Sequence, residues 1–218
     1  MKYDLIIVAC SSTPRLIQTT KNCINSARED NADLNIIVVE TYDVIYEYEN
    51  CTIIHYTEKF NYNHALNLGI EQAEGDVFIL ANNDIVFHQG WSQIGELMIV
   101  NSFDSASALS SDVRQRGFVR GDYIYPGYEI GLQLAGWCIF VTRKCIETIG
   151  KLDESFEFWY ADNMYAEQLK KHNLKHGLFC NVFVDHLISV TIKSMSNQVQ
   201  QRYCFNADRK YNAMKKQR

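Results

Sequence analysis

The first half of the chain alternates short, continuous apolar runs with segments of helical periodicity. Each run has the length of a strand covered on both faces, and the four runs are Leu5–Ala9, Leu34–Glu40, Thr52–Tyr56 and Asp76–Ala81. Helical spacing of apolar residues follows Thr13-Pro14 as far as about Ala27 and returns from Asn61 to Glu74. Such alternation predicts a single Rossmann-like α/β domain, with a mostly parallel central sheet flanked by helices.

Local signals mark the limits of these elements. Thr13-Pro14 predicts an N-cap followed by proline at the first helical position, and Gly75 is placed to end the second helix. Ser111–Tyr128 is expected to be a long loop, which often indicates function. The remaining predictions are helices over Trp91–Val100, Arg143–Ile149 and Ala161–His172, and strands over Ala106–Ser110, Trp137–Thr142 and Gly177–Val184.

Composition narrows the class of protein. No apolar run approaches the roughly 18 residues that cross a bilayer, and no signal peptide is recognised at the N-terminus, so a cytoplasmic location is expected. The seven cysteines are an odd number and form no CxxC pair, which argues against a disulfide framework or a zinc site.

Charge is distributed unevenly along the chain. Residues 193–218 carry seven basic side chains against Asp208 alone, a charge of +6, whereas the other residues total −11. A basic tail of this kind suggests an anionic partner. A solvated, partly frayed terminal helix is the alternative explanation.

Polar residues follow several of the predicted strands. In an open α/β sheet, ligands bind beyond the carboxyl ends of the strands. The residues at those ends are Cys10-Ser11-Ser12, Glu40, Asn82-Asn83-Asp84 and Asp185-His186. Asp84 and His186 offer an oxygen and a nitrogen for Mn²⁺ or Mg²⁺, whose shell diphosphate oxygens and water would complete.

Each of these positions also has a structural interpretation. Asn82-Asn83-Asp84 has the composition of an ordinary turn, since Asn and Asp bond their own backbone. Glu40 alone is compatible with a solvated strand end, and His186 alone with a structural histidine. Their co-occurrence at strand ends favours a binding site over separate structural roles.

Six segments in order resemble the family 2 glycosyltransferases with the GT-A fold, over roughly residues 4–190. That family has an apolar strand ending in an Asp-x-Asp-like motif, a helix with an Ala-x-Asn-x-Gly-Ile pattern, a small-residue acceptor loop, a Gly-Gly-Phe-Asp-Glu-x-Phe segment, a Glu-Asp-x-Asp segment and a late histidine. The matching residues here are Phe78–Asp84, Ala65–Ile70, Ala135–Cys138, Gly150–Phe156, Tyr160–Met164 and His186.

The resemblance implies a GT-A domain over 1–192, with a donor-binding half to about residue 100 and an acceptor and catalytic half from about 101. It implies a nucleotide-sugar donor, expected to be UDP-linked, on a cation held by Asp84 and His186. Donor contacts are expected from Ala9, Cys10, Ser11, Glu40, Asn61, Asn67, Asn82 and Asn83. Gly136, Trp137, Arg116 and Arg120 are expected to bind the acceptor.

An inverting displacement with Asp162 as general base is also implied by the resemblance. Asp162, Ala166 and Leu169 share one helix face, which directs Asp162 towards the protein. Capping of the helix is its alternative role. Two departures from the family pattern stand out: Glu40-Thr41 replaces an Asp and a glycine turn, and Ala161 replaces a glutamate.

The acceptor is left open by the motifs. A glycan or lipid carrier is usual for this family, whereas the basic tail and the arginines at 114, 116 and 120 favour a polyanion. DNA with hydroxymethylated bases, as modified by enzymes of some bacteriophages, combines such charge with a free hydroxyl. An anionic membrane surface would also suit the tail. A sugar-nucleotide nucleotidyltransferase and a non-catalytic nucleotide-binding module are the rival classes.

Overall fold

The computed structural model describes residues 1–187 and 197–216 of the chain. Two short 3₁₀ turns, Trp91–Gln93 and Val113–Gln115, accompany the helices and strands. In chain order these are β1 Tyr3–Ala9, α1 Pro14–Asp30, β2 Asn35–Glu40, β3 Thr52–His55, α2 Tyr62–Gln72, β4 Val77–Asn82, β5 Ile85–Phe87, α3 Ile94–Val100, β6 Ser105–Ser110, β7 Ile124–Pro126, β8 Cys138–Thr142, α4 Arg143–Ile149, α5 Ala161–Lys171, β9 His176–His186 and α6 Asn197–Lys215.

The strands of the described residues form one sheet in the order β3-β2-β1-β4-β8-β6-β9-β5, with β7 paired to β9. Strands β1 to β4 pair in parallel, β8 lies antiparallel between β4 and β6, and β6 is parallel to β9. Strands β5 and β7 run antiparallel to β9. Six of the nine strands therefore share one direction, which confirms the predicted mostly parallel α/β sheet.

This common direction brings distant residues together at one edge of the sheet. The carboxyl ends of β1, β2, β4, β6 and β9 all lie there. The residues at or just beyond those ends are Ser11, Glu40, Asn82, Asp112 and His186. Four of the five positions were expected from the sequence, and Asp112 was not.

Helices cover both faces of the sheet. Alternate residues of β1 face opposite sides, as the two-residue period of a strand requires. Leu5 and Ile7 pack with residues of α1 and α3, whereas Ile6 and Val8 pack with residues of α2, α4 and α5. Burial on both faces explains why the parallel strands are continuous apolar runs.

The helix N-termini follow the sequence signals. Thr13 caps α1, accepting a hydrogen bond from the Leu16 backbone N–H, with Pro14 in the first turn. Asn61 caps α2 through the backbone N–H of His64. The expectation for Gly75 was wrong, because α2 already ends at Gln72 and Ala73 is its C-cap.

Gly75 instead lies where a side chain would not fit. Its backbone N–H donates to the buried carboxylate of Asp4. A Cβ atom at this position would lie 2.8 Å from the carbonyl oxygen of Lys2, a backbone atom that cannot easily move. Close approach to β1, not helix termination, therefore accounts for the glycine.

The second half departs further from expectation. The segment expected as a loop, Ser111–Tyr128, contains a 3₁₀ turn and strand β7, and the short strand β5 was not predicted. Strand β9 begins and ends beyond its predicted limits and is irregular. Ala108 of β6 pairs with Phe179 and Leu109 with Phe183, so β9 advances four residues while β6 advances one.

The terminal helix α6 packs on the loop before α5. Tyr211 is buried against Phe156, and its ring stacks on Tyr160 at a centroid distance of 4.5 Å. Arg209, Lys210, Lys215 and Lys216 are exposed, whereas Lys193 and Arg218 of the basic tail lie outside the described residues. Within the described residues, no helix is both long and apolar enough to cross a bilayer.

Candidate functional site

The Asn82-Asn83-Asp84 tripeptide lies at the junction of β4 and β5. Asn82 is the last residue of β4, and Asn83 and Asp84 form the turn before β5. Strand β5 pairs with β9 so that Ile85 is opposite His186. The backbone N–H of Leu187 donates to the carbonyl oxygen of Asp84 at 3.0 Å. Strand pairing therefore fixes Asp84 beside His186.

The two side chains meet in the interior. Nε2 of His186 lies 3.5 Å from Oδ1 of Asp84, and the exposed fractions of the residues are 8% and 3%. Among the described residues, Nε2 of His186 has no hydrogen-bond partner. A buried ring nitrogen without such a partner is unusual, and a separation of 3.5 Å allows both atoms to bind one cation at about 2.1 Å. The pair therefore fits a metal site.

Further ligands for such a cation can come from a bound phosphorylated ligand and from water. The described residues contain no group of three or more His, Cys, Asp or Glu side chains arranged to hold a metal. Diphosphate oxygens and water supply further ligands in sites where Mg²⁺ is bound through few protein groups. Asp84 and His186 are thus suited to a cation that arrives with a phosphorylated ligand.

Asp112 adds a second carboxylate on the far side of the His186 ring. Its Oδ2 lies 3.5 Å from Nδ1 of His186. Arg114 binds both oxygens of Asp112, from Nε at 3.0 Å and Nη2 at 3.1 Å. Burial acts to raise the pKa of Asp112, but the hydrogen bonds and charge of Arg114 hold it below its ordinary value.

Trp137 completes this cluster. Its indole stacks on the His186 ring, with centroids 4.9 Å apart and planes inclined by 9°. The Arg114 guanidinium carbon lies 4.5 Å from the centroid of the same indole. The buried indole N–H has no hydrogen-bond partner within the described part of the chain. The expected acceptor residue therefore lies directly against the expected metal ligand.

The two asparagines of the tripeptide have different surroundings. The half-buried Asn82 accepts a hydrogen bond from the Tyr62 hydroxyl through Oδ1 at 2.8 Å. Asn83 is buried, and its amide donates to Oγ1 of Thr20 at 3.0 Å. The Asn83 side chain thus joins the turn to α1, a tertiary contact and not the bond to its own backbone that an ordinary turn would use.

Asp162 lies in a small cavity shared with Tyr62, Gly136 and Tyr165. It is the second residue of α5, and Tyr160 is the N-cap, so Asp162 is not the capping residue. Its Oδ1 accepts a hydrogen bond from the Asn163 backbone N–H at 2.9 Å. Burial raises the pKa of Asp162, an effect that this hydrogen bond and the positive charge of Arg114 offset only in part.

Tyr62 connects the tripeptide with this cavity. Its hydroxyl binds Asn82 while its ring lines the cavity that contains Asp162. Burial raises the pKa of Tyr62, and the charges of Asp84 and Asp162 contribute to the shift. Asp84 of the tripeptide and Asp162, the candidate base, are therefore both close enough to Tyr62 to affect the pKa of its hydroxyl.

The expected donor residues near β1 and β2 bind one another. Glu40 has no exposed surface and accepts from the backbone N–H groups of Ser11 at 2.8 Å and Tyr42 at 3.1 Å, and from the Ser11 hydroxyl. Ala9 is buried and its carbonyl oxygen accepts from Thr41, whereas Cys10 is half-buried. Glu40 thus shapes the loop after β1 and does not reach solvent.

Asn61 and Asn67 of α2 hold the segment that precedes α5. Asn61 donates to the carbonyl oxygen of Glu154 at 2.8 Å. Asn67 exchanges hydrogen bonds with the Leu152 backbone at 3.0 and 2.9 Å and donates to the Glu154 carboxylate. The structure therefore shows both side chains supporting the fold next to the cavity.

Arg116 and Arg120 lie on the exposed segment after β6. Both side chains are exposed, and the guanidinium carbon of Arg120 lies 3.3 Å from the centroid of Phe183. Exposed Tyr123 and Tyr125 lie on the same segment. The structure places half-buried Gly136 beside Asp162 and buried Trp137 beside His186, and it leaves these two arginines on the surface.

Sequence reasoning missed Asp112 and Tyr62. Asp112 follows the predicted strand Ala106–Ser110, so examination of that strand end would have found it. Tyr62 had no comparable signal, because its hydroxyl meets Asn82 only after α2 packs on the sheet. The assembled site offers a cation position, a carboxylate of raised pKa and an aromatic wall, which suits transfer of a group from a phosphorylated donor.

Solved structures share this fold. GalNAc-T7 with UDP, GalNAc and Mn²⁺ superposes with a TM-score of 0.70 at 12% identity, covering 85% of this chain and 43% of that one. S. aureus TarS 1-349 with UDP-GlcNAc gives 0.64 at 12%, covering 90% and 62%. Mannosyltransferase PcManGT from Pyrobaculum calidifontis with GDP-Man and Mn²⁺ gives 0.60 at 11%, covering 87% and 58%.

These likenesses confirm the predicted GT-A fold. The chain spans less than two thirds of the length of each of these three proteins. No curated protein matches the sequence. The sequence profile of glycosyl transferase family 2 matches residues 4–123, more than half of the chain. The protein therefore belongs to glycosyl transferase family 2.

Proposed function

We propose that this protein transfers a sugar from a nucleotide-sugar to an acceptor hydroxyl, with inversion at the anomeric carbon. The observation that carries the proposal is the buried Asp84–His186 pair at the sheet edge, joined through Tyr62 to the cavity of Asp162. Family membership supports the reaction class. The similar structures that contain UDP or GDP-Man with Mn²⁺ support a divalent cation and a nucleotide-sugar.

Asp84 and His186 would hold the cation on the donor diphosphate, and when bound the cation would neutralise charge on the departing nucleoside diphosphate. UDP is the nucleotide we propose, in line with two of the similar structures. Because Glu40 is fully buried, we assign it to shaping the loop around Ser11 and not to direct base contact.

Asp162 would act as the general base. Its raised pKa makes the carboxylate a stronger proton acceptor than an ordinary aspartate. It would take the proton of the acceptor hydroxyl as that oxygen attacks the anomeric carbon and the bond to the diphosphate breaks. Trp137, packed against the His186 ring and the Arg114 guanidinium, would hold that ring in place.

We further propose a polyanionic acceptor with a free hydroxyl, of which DNA carrying hydroxymethylated bases is the example to test. Exposed Lys210 and Lys215 lie on α6, which packs against the loop before Asp162, and exposed Lys216 follows the helix directly. On the segment after β6, Arg120 could contact phosphates, and exposed Tyr123 and Tyr125 could stack on bases.

One assay tests the reaction. Radiolabelled UDP-sugars are incubated with the protein and Mn²⁺, and UDP release is measured with and without hydroxymethylated DNA. Asp162→Asn should abolish transfer while donor binding persists; full activity in this variant would remove Asp162 from the mechanism. Release of pyrophosphate from a nucleoside triphosphate and sugar phosphate would instead indicate a nucleotidyltransferase, and donor binding without turnover a binding module.

Salt dependence tests the acceptor class. Binding of a polyanion weakens steeply as salt rises, because bound counterions are released on association. Transfer to neutral oligosaccharides that is insensitive to salt would exclude a polyanionic acceptor and favour a glycan.

A further inference from the structure

The His186 ring lies between two carboxylates, and only one of them belongs to the predicted motif. Nε2 faces Oδ1 of Asp84 and Nδ1 faces Oδ2 of Asp112, each at 3.5 Å. All three residues are at least 90% buried. Their proximity comes from the sheet, since Asp112 follows β6, His186 ends β9, and the two strands pair in parallel.

We propose that Asp112 is a positioning residue that orients His186 for cation binding. The inference rests on the proposed role of Asp84 and His186. With a proton on Nδ1 directed to Asp112, the lone pair of Nε2 faces the side on which Asp84 lies. Histidines that bind metals commonly donate their other ring N–H to a carboxylate, which fixes the ring and raises its basicity.

Asp112 is itself held firmly. Its Oδ1 accepts from the backbone N–H of Arg114 at 2.9 Å as well as from Nε, and its backbone N–H donates to Oγ of Ser110 at 3.2 Å. The Arg114 guanidinium also compensates the Asp112 charge, so two carboxylates can approach one imidazole without an uncompensated buried charge.

Trp137 restricts a second motion of the His186 ring, its tilt out of its own plane. Its indole plane is inclined by only 9° to the imidazole plane, and the stacked indole therefore limits tilting of the His186 ring. Arg114 contacts the same indole. Asp112 thus holds the imidazole edge directly and, through Arg114, supports the residue that covers its face.

Binding of Mn²⁺ in the presence of saturating UDP tests the proposal, with free Mn²⁺ followed by electron paramagnetic resonance of the full chain. Asp112→Asn should weaken Mn²⁺ binding about 10- to 100-fold, the range found when such supporting carboxylates are removed. Combining it with His186→Ala should weaken binding no further than His186→Ala alone, because Asp112 acts through that ring.

Asp122→Asn is the matched control, since this exposed aspartate lies on the same segment and its loss changes net charge equally. It should leave Mn²⁺ affinity unchanged. If His186→Ala weakens Mn²⁺ binding but Asp112→Asn does not, or if their effects add, the positioning role is overturned and the metal site stands. If His186→Ala has no effect, the proposed metal site fails as well.

A measurement on the unaltered protein keeps the test independent of variant folding. Long-range ¹H–¹⁵N NMR at pH 8, without metal, reports which nitrogen of a neutral histidine carries the proton. The proposal requires the Nδ1–H form for His186. Observation of the Nε2–H form would overturn it.

Discussion

Gly136 lies directly against Asp162. A Cβ atom at position 136 would be 2.8 Å from Cβ and 2.9 Å from Oδ2 of that aspartate. Because Gly136 has no side chain, the side chain of Asp162 can occupy its present position at the start of α5, in close contact with the backbone at residue 136.

Gly136→Ala should lower kcat about 100-fold, because displacement of a reacting group by about 1 Å costs this much. Donor binding should be retained, and overpacking should reduce the free energy of unfolding by about 1–3 kcal/mol. Steady-state kinetics and thermal unfolding measure both effects. Gly117→Ala is the control, since a Cβ there meets no atom within 4 Å; equal losses in the two variants would contradict the prediction.

The dependence of kcat/KM on pH should show an acidic limb set by Asp162. Burial raises the pKa of this carboxyl, so activity should fall as pH decreases through a value above the ordinary aspartate pKa of about 3.9. Arg114 lowers the pKa, so Arg114→Gln should move the limb to higher pH. A limb that stays at the same pH in both Arg114→Gln and Asp162→Glu would assign the titration to another group.

Removal of divalent cations should abolish donor binding, and Mn²⁺ should restore it. Asp84→Ala should bind donor weakly whether or not Mn²⁺ is added. Asp185→Asn is a matched control, because that neighbouring carboxylate binds Nε2 of His88 at 2.7 Å and not the cluster around His186. Calorimetric titration with UDP is the measurement, and a Mn²⁺ response in Asp84→Ala equal to that of the unaltered protein would refute the assignment.

Helix α6 should hold the loop that leads into α5. Tyr160 has a left-handed backbone, with φ of 70°, stacks on Tyr211 and donates its hydroxyl hydrogen to Asp208 at 2.7 Å. Tyr211→Ala should destabilise the protein by more than about 1 kcal/mol, since a buried aromatic is lost. It should also lower kcat and the amide-exchange protection of residues 155–160.

Phe205→Ala provides the comparison for Tyr211→Ala, because this aromatic of α6 is 62% exposed. Its effect on stability should stay within about 0.5 kcal/mol, as for most surface substitutions. Similar loss of exchange protection in both variants would mean that α6 does not support the loop through Tyr211.

The parallel half of the fold could be predicted because its determinants are local. The signals that define these elements involve only residues that are close in the sequence. They are the continuous apolar strands, the Thr13-Pro14 start of α1 and the Asn61 cap of α2. The short strand β5 could not be found in this way, since three residues carry no periodicity and are stabilised by pairing with β9. Gly75 was misinterpreted because its neighbour, Lys2, is distant in the sequence.

The site could be predicted where its residues lie at the carboxyl ends of strands, because ligands bind there in an open α/β sheet. Asp84 and His186 were paired on this ground, and the structure brings them together. The hydrogen-bond partners of Glu40 and Asn67 decide whether those side chains can reach a ligand, and such partners are set by tertiary packing. Residue type and position alone could not supply that information.

The extra residues in β9 decide which of two neighbouring side chains faces the tripeptide. Before the irregularity Phe179 packs into the same core as Ala108, and after it Val182 and Val184 do, so the facing residues change from odd to even numbers. An unbroken strand would keep its phase and turn Asp185 inward in place of His186. Because β9 has three more residues than β6 across this irregularity, an odd number, the imidazole and not the neighbouring carboxylate lies beside the tripeptide.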